Sequence, residues 1–236
     1  MRKVLFLVIM LLAPFGARAA SFQVNPIRVT LSAAQTTGVL RVTNSSDSPT
    51  VVQMQIVAWS QENGRDVYTP SRKLLATPPI FTVAPGSEQV VRIGLRTAPD
   101  AKQETCYRLF LTEVPPAPTA AFHGVQIALR IGIPVFVEPA VTTAPDLQWS
   151  AKRVSAEELQ LSVRNSGTAH AELLKLSVTE KGHSVPLLQE FGGYLLPGSQ
   201  RTWNIKLAAP LAAAASLEIT ADTDGGNIHA QIAPGA

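Results

Sequence analysis

The chain is a succession of short β-type runs cut by turn residues, and that punctuation confines it to an all-β fold. Phe22-Gln23-Val24, Val39-Leu40-Arg41-Val42, residues 51–57, Gln89-Val90-Val91-Arg92-Ile93 and residues 107–111 all read as strands. Asn44-Ser45-Ser46-Asp47-Ser48-Pro49, Asn63-Gly64 and Ala84-Pro85-Gly86-Ser87 read as the turns between them. No long segment spaces its apolar residues at the helical period; the alanines 212–215 are bracketed by Pro210 and strand signals. Many short strands at this spacing specify a β-sandwich.

Two landmarks occur twice. Leu40-Arg41-Val42-Thr43-Asn44-Ser45 returns as Leu161-Ser162-Val163-Arg164-Asn165-Ser166, and Val83-Ala84-Pro85-Gly86-Ser87 as Leu195-Leu196-Pro197-Gly198-Ser199. Their order is kept. The alternative is chance, because Asn-Ser and Pro-Gly are common turn residues. Two sandwiches in tandem explain the order better. The proline-bracketed stretch 139–145 interrupts the strand pattern and divides the chain into residues 20–140 and 141–236.

Residues 1–19 have the composition of a secretory signal. Arg2 and Lys3 come first, an apolar run fills residues 4–12, and Ala17-Arg18-Ala19 supplies a small-x-small cleavage site. The run is too short to span a bilayer, and no later segment is long enough to do so, so no membrane span is expected in the mature chain. Cleavage after Ala19 leaves 217 residues, 236 less 19. It removes three basic residues and no acids, so 20 Lys+Arg against 17 Asp+Glu becomes 17 against 17. A neutral chain has no bulk-charge reason to bind nucleic acid or a membrane surface. Cys106 is the one cysteine, so no internal disulfide forms and two ordinary cores must hold the fold. Its strand-like surroundings make it a small buried hydrophobe rather than a nucleophile.

Nothing assembles a catalytic or metal centre. His123, His170, His183 and His229 lie in separate segments, and neither a Gly-x-Ser-x-Gly motif nor a phosphate-binding glycine loop is present. Asp222-Thr223-Asp224-Gly225-Gly226 starts like a calcium loop but lacks the downstream glutamate, and reads as a hairpin turn. No catalytic residue, cofactor or metal is expected.

Residues 125–135 stand apart. Every odd position is apolar: Val125, Ile127, Leu129, Ile131, Ile133 and Val135. A strand over this range carries one apolar stripe, because successive side chains point to opposite faces. It is either a core strand or an edge offered to a partner.

In order along the chain, several pieces resemble the periplasmic chaperones of the chaperone–usher pathway of pilus (fimbrial) assembly. They are Val24-Asn25-Pro26-Ile27-Arg28-Val29, Val42-Thr43-Asn44-Ser45-Ser46, Pro78-Pro79-Ile80-Phe81 with Pro85-Gly86, Gln89-Val90-Val91-Arg92-Ile93, the run 107–116 ending in Glu113-Val114-Pro115-Pro116, and the alternating residues 125–135. Trp59-Ser60-Gln61-Glu62-Asn63-Gly64 and residues 130–136 look more like the archaic (alternative) branch.

The resemblance implies two tandem immunoglobulin-like β-sandwich domains set at an angle around a cleft. It implies a protein of the periplasm that is not an enzyme. Its partners would be pilus subunits lacking their last strand and an outer-membrane usher that receives them. Val125, Ile127, Leu129 and Ile131 would be the donated stripe, filling the subunit's open groove by β-augmentation. Arg28 matches the family's first-strand arginine, which holds the subunit's C-terminal carboxylate together with a strand lysine. Pro134 stands at the lysine position. Arg130 is the substitute candidate, and Arg92 the third choice. Glu113 matches an acidic residue that ties the domains together, but its arginine partner is Glu138 here, and Asp222 or Asp224 lies near the third position. On residues alone two other functions stay open: a secreted structural or adhesin subunit, and a periplasmic sandwich metal carrier.

Overall fold

The computed structural model describes residues 22–117, 126–183, 186–212 and 215–235; the expected signal segment lies outside them. The first domain contains β1 (Phe22–Asn25), β2 (Val29–Leu31), β3 (Thr37–Asn44), β4 (Thr50–Glu62), β5 (Arg65–Pro70), β6 (Leu74–Thr77), β7 (Ile80–Val83), β8 (Glu88–Leu95), β9 (Thr105–Val114) and β10 (Arg130–Val137). The second contains β11 (Leu147–Ser155), β12 (Glu158–Asn165), β13 (Ala171–Glu180), β14 (Pro186–Phe191), β15 (Tyr194–Leu195), β16 (Gln200–Lys206), β17 (Leu217–Thr223) and β18 (Gly226–Ile232). The described residues hold no helix, and so none long and apolar enough to cross a membrane.

Each domain is two sheets face to face. In the first, β1-β3-β8-β6 packs on β2-β10-β9-β4-β5, with β7 beside β4. In the second, β11-β12-β16 packs on β14-β13-β17-β18, with β15 beside β13. Period-two alternation decides what is buried. β3 turns Leu40, Val42 and Asn44 inward, and β12 turns Leu159, Leu161, Val163 and Asn165 inward. Each domain has its own apolar core, and a third cluster of Trp59, Cys106, Phe136 and Leu196 joins them.

The duplicated landmarks serve one structural purpose. Asn44 Nδ2 donates to the carbonyls of Ser48 (2.7 Å) and Val83 (2.9 Å), and its Oδ1 accepts from Ser46 N and Oγ, both at 2.8 Å. Asn165 does the same with the carbonyls of Ala169 and Leu195 and with Gly167 N. Gly86 N and Gly198 N then return to the two asparagine carbonyls. Each buried asparagine thus fastens an Asn-Ser turn to a Pro-Gly turn in its own sandwich. Asn44→Ala removes four bonds and leaves buried partners unsatisfied, so a loss of about 2–4 kcal/mol is expected from the first domain. Urea unfolding checks it; a loss below about 1 kcal/mol would make the clasp incidental.

The alternating segment is shorter as a strand than its pattern implies. β10 begins at Arg130, and residues 126–129 are outside any strand. The cause is the neighbouring chain. β9 ends at Val114, just before Pro115 and Pro116, which have no N–H to continue the ladder. Residue 129 holds the last rung: Glu113 N donates to Leu129 O (2.8 Å) and Leu129 N to Glu113 Oε2 (3.2 Å).

Candidate functional site: a cationic cleft beside an open strand edge

The register of β10 against β9 fixes where its side chains go. Ile131, Ile133 and Val135 face Leu111, Leu109 and Tyr107, and Ile133 and Val135 are buried in the first core. The stripe therefore divides. Leu129 and Ile131 are half-buried against that core, Ile127 is 85% exposed, and Val125 lies outside the described residues. The opposite face carries Arg130, Gly132, Pro134 and Phe136, across from Thr112, Phe110, Arg108 and Cys106.

The backbone alternates as well. Since Leu129 pairs with β9, the even residues 130, 132 and 134 turn their N–H and C=O groups outward. β2 covers this outer side only from Val135 to Val137. No strand among the described residues covers it from Arg130 to Pro134. Pro134 is tolerated because its missing N–H would have pointed off the sheet.

Arg28 reaches the same place from the other side. Val29 pairs with Val135 and is buried, so Arg28, one residue back, is level with Pro134 and on the outward face. Arg108 faces Pro134 from β9. Two arginines thus flank the proline, about 10 Å apart at the backbone. Both guanidinium groups approach the Tyr194 ring of the second domain, Arg28 at 6.0 Å and Arg108 at 5.9 Å from its centroid. Arg108 also lies 4.5 Å over Trp59, and its Nε and Nη1 are buried with no hydrogen-bond partner among the described residues. Gly132 makes room for it: a Cβ there would stand 3.2 Å from Arg108 Nε and 3.1 Å from Phe110. A cavity of about 390 Å³ opens here between Trp59, Gln61, Arg108, Tyr194 and Arg201.

Arg28 is held by acids of the second domain. Its Nη2 bonds Glu172, and its Nη1 donates to Asp224 Oδ2 at 2.9 Å. Burial works against its charge, but the Tyr194 hydroxyl and Asp224 outweigh it and raise its pKa. Beside this pair, Glu104 sits before β9 with only 3% of its side chain exposed. Its carboxylate takes His170 N (3.1 Å) and lies 2.8 and 3.0 Å from His170 Nδ1. The His170 ring stacks on Phe136, centroids 3.5 Å apart. Gln61 adds two further links, donating to Tyr194 O and accepting from Leu196 N. Burial first, then Glu104, pushes the Cys106 thiol far above its ordinary range, which leaves it an inert core group.

The other candidates fall elsewhere. Arg130 stands 4.0 Å over Phe110, four residues and about 13 Å along the strand from Pro134. Arg92 is exposed on β8, in the opposite sheet. Glu113 lies at the end of β9 away from the linker and accepts from Leu129 N; the β9-side acid that reaches the second domain is Glu104. Of the two aspartates, Asp224 is the one on Arg28. Among the described residues no three His, Cys, Asp or Glu side chains form a metal cluster.

Paired immunoglobulin-like sandwiches thus meet with two arginines between them and an open strand edge alongside, an edge of the kind to which an extended chain can add. Residues 21–143 match the model of the pili and flagellar-assembly chaperone, PapD N-terminal domain, and residues 142–233 that of the pili assembly chaperone PapD, C-terminal domain. The chain belongs to this family of pilus-assembly chaperones. It is 29% identical over 186 residues to the chaperone protein FimB/FhaD of Bordetella pertussis, covering 72% of each chain. It is 30% identical over 156 residues to the chaperone protein PapD of Escherichia coli, covering 63% of this chain and 61% of that one. Its fold is like that of a chain in the CsuC–CsuE chaperone–tip adhesion subunit complex of the archaic Csu pili of Acinetobacter baumannii. The TM-score is 0.68 at 22% identity, over 90% of this chain and 98% of that one.

Proposed function

We propose that the protein works in the periplasm, after cleavage of residues 1–19, as a chaperone that caps pilus subunits lacking their last strand and hands them to an outer-membrane usher. It does so by binding and carries out no catalytic step. The open edge of β10 carries this reading. A subunit strand lying along Arg130–Pro134 pairs with outward backbone groups that meet no strand among the described residues. Ile127, with Leu129, Ile131 and Val125, enters the subunit's groove; a fully buried isoleucine contributes about 1.5–3 kcal/mol. The subunit's terminal carboxylate ends between Arg28 and Arg108. Arg108, half-buried beside the proline, does what a strand lysine would do at position 134. Arg130 then borders the paired strand rather than the carboxylate.

Ile127→Glu tests the edge. The side chain is exposed in the free protein, so the variant should fold normally. Capture of a pilus subunit co-expressed in the periplasm should fall at least tenfold, because an unpaired charge in an apolar groove is costly. Undiminished capture by a folded variant would remove residues 125–131 from the donated edge.

A further inference from the structure

The half-buried histidine of the cleft has no part in the capture just described, yet it lies beside the group that occupies the anchor. His170 Nδ1 faces both oxygens of Glu104. A carboxylate only accepts, so Nδ1 carries the proton and neutral His170 turns a bare Nε2 outward. That Nε2 is buried, has no hydrogen-bond partner among the described residues, and lies 3.5 Å from Asp224 Oδ2. The same Oδ2 accepts from Arg28 Nη1 at 2.9 Å. Two acceptor atoms therefore lie side by side, and the cation that should meet a ligand's carboxylate is meanwhile held by Asp224 and Glu172.

We infer that His170 is a proton-operated control on the anchor: protonation at Nε2 draws Asp224 toward the imidazolium and frees Arg28 Nη1 for a terminal carboxylate, with Nη2 still on Glu172. The charged and polar groups around the ring come from every element packed on it. They are Glu104 before β9, Arg28 before β2, Glu172 on β13, Asp224 in the β17–β18 turn and Tyr194 on β15, with Phe136 of β10 as the stacking face. Three are carboxylates and one is a cation. The added positive charge also attracts the incoming carboxylate. The sign follows: affinity rises as pH falls. By linkage, a bound carboxylate raises the proton affinity of His170 by the same factor.

This rests on the carboxylate-anchoring reading above, and the experiment separates the two. The probe is a ten-residue peptide alternating valine and serine, made with a free C-terminus and as the amide. Binding to the mature chain is measured from about pH 7.5 to about pH 5.5. The free-acid peptide should bind about fivefold or more tightly at the lower pH, and the amide should show no such gain. His170→Phe, which keeps a ring on Phe136, and His170→Gln should both abolish the pH dependence while preserving the preference for the acid. NMR of the wild-type imidazoles should show the His170 titration moving to higher pH on addition of the acid peptide and not of the amide. A preference for the acid that does not vary with pH, or an unmoved His170 titration, overturns the control and leaves the anchor standing. Equal binding of acid and amide at every pH overturns both.

Discussion

Loss of Arg28 or Arg108 is expected to cost subunit capture about 2–5 kcal/mol each, roughly thirtyfold or more in affinity. Each removal leaves a carboxylate short of a cation at the end of the paired strand. Arg28→Ala leaves Glu172 and Asp224 with partial exposure, so the variant should stay folded. Arg108→Ala vacates the space over Trp59 and removes two buried nitrogens that have no partner among the described residues, so it should cost little stability. The double variant should capture no more than traces. Arg130→Ala and Arg92→Ala should bind nearly as well as the wild type. Affinity for one purified subunit across all five variants checks the set. Full binding by Arg108→Ala would reduce that residue to a lid on Trp59, and a strong loss in Arg130→Ala would return the second cation to β10.

Phe136→Ala should be the most damaging single change to the architecture. Phe136 is fully buried, and it touches Trp59 and Tyr194 as well as the His170 ring. Its removal empties the centre of the cluster that joins the domains. A loss of about 3–5 kcal/mol is expected, as for other phenylalanine truncations in cores. Because the cluster draws on both domains, the loss should also appear as uncoupling. Calorimetry should resolve two separate transitions in the variant, against one cooperative transition expected of the wild type. A single transition at unchanged temperature would mean that the hydrogen bonds of Gln61 and Glu104 couple the domains without the aromatic contact.

The turns and strands were legible because they depend on local chemistry. Asn44 and Asn165 sit in duplicated motifs, and their clasps are the same in both domains. The alternation of residues 125–135 showed which positions share a face, but not where pairing stops. That limit comes from Pro115 and Pro116 on another strand. Arg28 was recognisable from the family pattern. Arg108 was missed because its place beside Pro134 depends on the β9–β10 register, which no local pattern encodes. A signal was available: with Tyr107, Leu109 and Leu111 turned inward, Arg108 had to face outward on a strand adjoining the cleft. Glu104 and His170 are separated by 66 residues, and only the packing of two domains brings them together.

The open edge also poses a hazard that the chain answers locally. An exposed strand edge invites a second copy of itself, and self-pairing would remove the protein from use. Suppose two copies met antiparallel about Gly132. Each Arg130 would then stand opposite a Pro134 of the other copy. Of the three outward residues on each side, one has no N–H and another carries a charged side chain. The ladder would lose a rung at both ends, with two guanidinium groups alongside. A proline that a foreign strand would meet only at its very end is, for a twin, an obstacle met twice, and this weighs against self-pairing along that edge.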